Sequence, residues 1–168
     1  MLDPLAAPAA LSVAVDPLLE LLQDVNHEPF VELLQVVPVS GTATVHGRMR
    51  ELAQAVHDAG GRSRGYRVTA PVHPFVPPRA WRDVLRREVT EGFLQPATRY
   101  PTASARTAEE IRRAGELSDG AAGLIEAHLG PVRIAGDVGG PHLDRIRWRN
   151  LLLVSEAWAT ILHLSVSD

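Results

Sequence analysis

Apolar positions along the chain change their spacing several times, and each change marks an element. Asp16-Pro17 places an acid at a helix N-cap and proline at the first helical position. Leu18, Leu21, Leu22 and Val25 then give one apolar face as far as Asn26. Pro29 opens a second apolar segment, Phe30 to Val37, too short for its period to assign. After the turn Ser40-Gly-Thr-Ala-Thr44, the spacing of Val45, Met49, Leu52 and Val56 predicts a helix, stopped by Gly60-Gly61. Arg62 to Val72 alternates, with Tyr66, Val68, Ala70 and Val72 on one face, and predicts a strand. The proline-rich Pro71–Pro78 that follows can be neither a central strand nor a helix and predicts a loop.

Two stretches leave alternatives open. In 79–102, Trp81, Val84, Leu85 and Val89 fall at helical spacing, while a hairpin through Glu91-Gly92 into Leu94–Tyr100 competes. In 145–158, Arg145, Arg147 and Arg149 alternate with Ile146 and Trp148, a half-exposed strand that becomes apolar on both faces from Leu151. Leu151, Val154, Trp158, Ile161 and Leu162 keep a helical reading of 150–165 alive. Between these stretches, the capping-box pattern Thr107-Ala-Glu-Glu110 starts helical structure that reaches Gly130, with Gly115 and Gly120 expected to break it. Val132–Val138 and the Gly139-Gly140 turn precede the last run. Residues 1–15, rich in Ala and Pro, read as a loosely ordered arm of a single domain spanning 1–168.

Composition narrows the chemistry. With no cysteine, disulfides, thiolate metal sites and thiol nucleophiles are excluded. All 17 basic residues are arginine, so there is no Schiff-base or P-loop lysine. The net charge of −3 hides an asymmetry, because residues 1–47 hold six acids and no arginine. No basic run interleaved with aromatics appears, and aromatic content is 5%, which argues against nucleic-acid binding. The N-terminus lacks a positive n-region and its apolar stretch is broken by Pro4, Pro8 and Pro17, so no signal peptide or membrane span is expected and a cytoplasmic protein is. His27, His46, His57, His73, His128, His142 and His163 are scattered without metal-ligand spacing, and no metal or other cofactor is expected. Ser155 lacks the glycines of a nucleophile elbow.

What remains is arginine and one carboxylate. Arg82, Arg86, Arg87 and Arg99 flank the ambiguous region, and arginine suits bidentate capture of a carboxylate. On a strand, Glu156 would share a face with Leu152, Val154 and Trp158, where burial raises a carboxyl pKa towards values useful for proton transfer. The competing reading of Glu156 is a salt-bridged or edge-exposed side chain.

Three motifs carry a resemblance. Ser40-Gly-Thr-Ala-Thr44 before a helix resembles the Asp-Gly-Ser-x-Thr turn of the chorismate lyases and the related ligand-sensing domains of GntR-type regulators. Trp81-Arg-Asp-Val-Leu85 with Ala97-Thr-Arg99 resembles their aromatic-x-Arg-Glu-Ile-Leu and returning Ala-x-Arg strands, and Leu152-Leu-Val-Ser-Glu156 resembles their last strand. The motifs spread over residues 40–160. The first lacks its acid, and Trp148-Arg-Asn150 stands where a Gly-x-Pro turn is usual. The resemblance implies an α+β fold, an antiparallel sheet with helices packed against it, enclosing one small-molecule pocket. It implies a cofactor-independent lyase that eliminates pyruvate from chorismate to leave a hydroxybenzoate. Arg82 or Arg87, with Arg99, would bind the substrate carboxylates, and Glu156 would be catalytic. The alternatives are a cofactor-free isomerase or cyclase of specialised metabolism, or a non-catalytic module binding a small acidic or aromatic molecule. Oligomeric state is not legible.

Overall fold

The last two strands form the hairpin on which the rest is assembled. In a computed structural model, which describes residues 2–23, 28–40, 45–60, 67–94, 106–139 and 147–167, β5 (Arg147–Val154) and β6 (Trp158–Ser167) pair antiparallel from Arg147 opposite Val166 to Val154 opposite Ala159. β1 (Glu28–Leu33) and β2 (Val37–Pro38) both lie on the other side of β6. Leu33 faces Leu162 and Val37 faces Ala159, so the outer strand holds one more residue than β6 between those pairs. That is the signature of a bulge. β4 (Ile134–Val138) pairs with β5, and the short β3 (Val72–Pro74) closes the order β1-β6-β5-β4-β3, all antiparallel.

Both sheet faces are covered, which is why Leu151, Leu152, Leu153 and Val154 are all fully buried. Leu151, Leu153, Leu162, Leu164 and Val166 meet one set of helices: α1 (Ala7–Ala14), α2 (Asp16–Gln23), α4 (Ala80–Arg87) and α5 (Ala108–Leu129). Leu152, Val154, Ala159 and Ile161 meet Val45, Met49, Ala53 and Val56 of α3 (Val45–Ala59) on the other. The fold is therefore α+β, an antiparallel sheet with helices packed against it. A Cβ added at Gly136 would lie 2.6 Å from Met49 Cε and 2.8 Å from the His73 carbonyl, so glycine lets α3 and β3 approach β4 closely.

Several expectations are corrected. The first 15 residues are not a loose arm. A 3₁₀ turn (Pro4–Ala6) capped by Asp3 leads into α1. The Leu2 N–H donates to the Ala127 carbonyl at 3.0 Å, and Ala7, Leu11, Val15, Leu18 and Leu22 form one buried stripe. Prolines 8 and 17 sit in first turns, where no intrahelical N–H is lost. By length and composition alone Pro4–Gln23 is apolar enough to cross a membrane; here that stripe packs on α5 and β1.

Of the strand expected over 62–72, residues 67–71 are not in a strand and 61–66 lie outside the described residues. β3 falls within Pro71–Pro78, expected as a loop, and its Pro74 is tolerated because β3 is an edge strand. The Val68 N–H goes to the Gln54 side-chain oxygen at 2.8 Å instead of to a strand partner. Across 80–93 the helix wins over the hairpin, because Trp81, Leu85 and Val89 bury one face. α4 then widens into a π-helical turn, Glu88–Phe93, where the Thr90 hydroxyl donates to the Arg86 carbonyl at 2.9 Å. Residues 95–102 lie outside the described set. α5 runs unbroken through Gly115 and Gly120. Its Thr107–Glu110 capping box forms, and Gly130 ends it at φ 82°.

Candidate functional site

Arg149 stands where the sheet changes width. β4 accompanies β5 only from Leu151 to Val154, so among the described residues the first half of β5 has no neighbour on that side. The resulting notch is an open cleft of about 370 Å³ lined by His73, Glu88, Asp137, Gly139, Trp148 and Arg149. The lining groups come from several elements. Arg149 shares its sheet face with Leu151 and Leu153 and points towards the helices. Glu88 is the first residue of the π-helical turn. Asp137 and His73 are opposed residues of β4 and β3.

Arg149 joins the two acids. Its Nη1 donates to Glu88 Oε1 at 2.5 Å, and its Nε and Nη2 donate to Asp137 Oδ2 at 3.1 and 2.6 Å. Burial pulls the guanidinium pKa down, but the hydrogen bonds to Glu88 and Asp137 outweigh it and leave the pKa above its ordinary value. Arg149 is thus a permanent cation at the cleft. The Glu88 side chain is only 11% exposed, against 30% for Arg149 and 29% for Asp137. The network closes inward on Glu88 and opens outward at Asp137. Both bonds that Asp137 accepts fall on Oδ2, so its Oδ1 makes no hydrogen bond to any described residue.

A second polar cluster lies through the sheet, on the α3 side. The Nδ1 and Nε2 atoms of His163 lie 2.6 Å from Asn150 Oδ1 and 3.0 Å from Ser165 Oγ. With Nδ1 protonated, His163 donates to Asn150 and accepts from Ser165. The order hydroxyl, imidazole, amide is that of a hydrolase triad. Ser165 is nonetheless 0% exposed, and it does not line the notch beside β5. The cluster's evident role is a satisfied polar spine beneath Trp148, whose backbone is opposite Ser165.

None of the described residues singled out from sequence for catalysis or substrate binding lines the notch. Glu156 lies in the β5–β6 turn and is exposed, not on a strand beside Leu152 and Val154. Ser155 makes that turn: its N–H donates to the Trp158 carbonyl at 2.8 Å, and its Oγ accepts from the Trp158 N–H at 3.2 Å. The burial on which the catalytic role of Glu156 was argued is absent. Arg82 pairs with Glu126 on α5 and lies 5.8 Å from the Trp81 ring centroid. Arg87 is exposed on α4, and Arg99 lies outside the described residues. Arg86 pairs with Asp119 at 2.6 Å, half in water. No group of three or more His, Cys, Asp or Glu able to hold a metal occurs among the described residues.

The notch was missed from sequence, where Arg149 reads only as part of the polar face of a half-exposed strand. One signal could have found it: Arg149 is the last arginine before the apolar run and shares a face with Leu151, which places it at the edge of the buried region. Glu88 and Asp137 carried no such signal, since they lie 61 and 12 positions from Arg149 and only folding joins them. A second groove of about 270 Å³ between β2 and α3 is lined by Pro38, Val39, Val45, Leu52, Arg48 and Glu51, among others. Its Arg48 and Glu51 pair with each other at 2.8 Å in water, and it offers no buried polar group. Compared with known proteins, the chain matches no family model, no curated protein and no solved structure.

Proposed function

We propose that this protein binds a small polar molecule in the notch beside β5, as a binding module. One observation carries the reading: a cation, two carboxylates and an imidazole, brought by β3, β4, β5 and the π-helical turn, line a single cleft. Its volume of about 370 Å³ falls within the range of small-molecule sites. The π-helical turn that delivers Glu88 adds to this, because such turns recur at functional sites. The lyase reading keeps the antiparallel α+β sheet in its favour. It loses the support of a strand-borne, buried Glu156, which is exposed in a turn, and of Arg82, which is paired with Glu126.

The test is a thermal-shift screen of small polar metabolites, with chorismate among them, on the wild-type protein and on His73→Ala. His73 is exposed, so its loss should not disturb the core. A ligand present at a hundredfold excess over its Kd should stabilise the wild-type protein by about 2.7 kcal/mol, and the variant measurably less. Stabilisation unaffected by His73→Ala, or appearance of an aromatic product from chorismate, would count against the reading.

A further inference from the structure

The chemistry of the notch also limits what it would hold. Resting on the reading above, we infer that the ligand presents a cationic hydrogen-bond donor, a primary ammonium or an amidinium. The charged side chains lining the cleft are two carboxylates and one guanidinium. The guanidinium already donates along two edges, to Glu88 and to Asp137, so an incoming anion would compete with carboxylates held at hydrogen-bond distance. A cation meets the opposite situation. Asp137 is the more exposed acid, and its Oδ1 makes no hydrogen bond to any described residue.

The neighbours of that oxygen suit the same ligand. His73 stands opposite Asp137 across the β3–β4 pair, and a neutral imidazole offers a lone pair to an N–H donor. Trp148 also lines the cleft, at the edge where β5 runs on past the end of β4. Arg149 has a separate part: it fixes the position of Asp137 and keeps the pair from carrying two uncompensated charges. Arg149 is therefore a positioning residue, and Asp137 is the group that touches the ligand.

The experiment compares three shape-matched probes, phenethylammonium, phenylacetate and 2-phenylethanol, by amide chemical-shift titration of the wild-type protein. The expected result is that phenethylammonium shifts His73, Asp137, Gly139 and Trp148 and binds about tenfold or more tighter than phenylacetate, the value of one charge-assisted hydrogen bond. Added salt should weaken it and leave 2-phenylethanol unchanged. Asp137→Asn, which can still accept from Arg149, should lower phenethylammonium affinity by about tenfold. The wild-type comparison stands alone should that variant fold poorly. Equal or tighter binding of phenylacetate or 2-phenylethanol at these residues would overturn the cationic class while leaving the cleft a binding site. No shift from any probe overturns the inference, and joined to a negative metabolite screen it removes the cleft reading as well.

Discussion

Glu156 and Arg149 show how far a charged side chain's meaning depends on which side of a strand end it falls. Glu156 sits one residue beyond the buried Ser155, in a turn, and faces water. Replacing it with Gln removes no buried contact, so stability should stay within about 0.5 kcal/mol and the melting temperature should not move. Arg149 compensates a Glu88 side chain that is 11% exposed. Arg149→Met leaves that carboxylate without its guanidinium. Breaking a fully buried pair costs about 3–5 kcal/mol, so the partial exposure here points to about 1–3 kcal/mol. Urea denaturation of the two variants checks both values. Equal stabilities would mean that the Glu88–Arg149–Asp137 network contributes nothing to the fold.

Helix α5 tests the reading of elements. Gly120 lies mid-helix, and a Cβ there would meet nothing within 4 Å. Gly120→Ala should stabilise the protein by about 0.5–1 kcal/mol through helix propensity alone. At the other end, the Thr107 backbone N–H, then its hydroxyl and Arg106, hold the Glu110 pKa below its ordinary value. A lowered carboxyl pKa contributes stability that is present above the ordinary glutamate value and is lost as pH falls through the lowered one. Melting temperature should therefore drop on acidification below the glutamate range, and Glu110→Gln should flatten part of that drop. Helix α3 and the two ends of α5, its capping box and Gly130, were legible in the chain itself, while the break expected at Gly115 and Gly120 is absent. Helix α2 was legible too, from Asp16-Pro17, but α1 was not, because Pro4 and Pro8 look disruptive until they are placed in first turns. The β5–β6 turn was hidden too, since Ser155-Glu156-Ala157 contains no Gly, Pro, Asn or Asp and its one turn-former is a lone serine. The competition over 80–94 was settled by burial of Trp81, Leu85 and Val89, which spacing alone could not weigh against Gly92.

At the level of the molecule, the sheet does two jobs. Its centre is sealed on both faces by α3 and by the group of α1, α2, α4 and α5, which gives a rigid support. Its corner, where β4 ends and β5 continues, holds polar groups from β3, β4, β5 and the π-helical turn around one opening. A site built on strands keeps its geometry better than one built on loops. The most direct test is a crystallographic soak of a small-fragment library containing amines, acids and neutral polar compounds in equal number. Fragments should collect in the notch against Asp137, His73 and Trp148, with ammonium nitrogens within hydrogen-bond distance of Asp137 Oδ1. Fragments collecting instead in the β2–α3 groove, with the notch empty, would contradict the account.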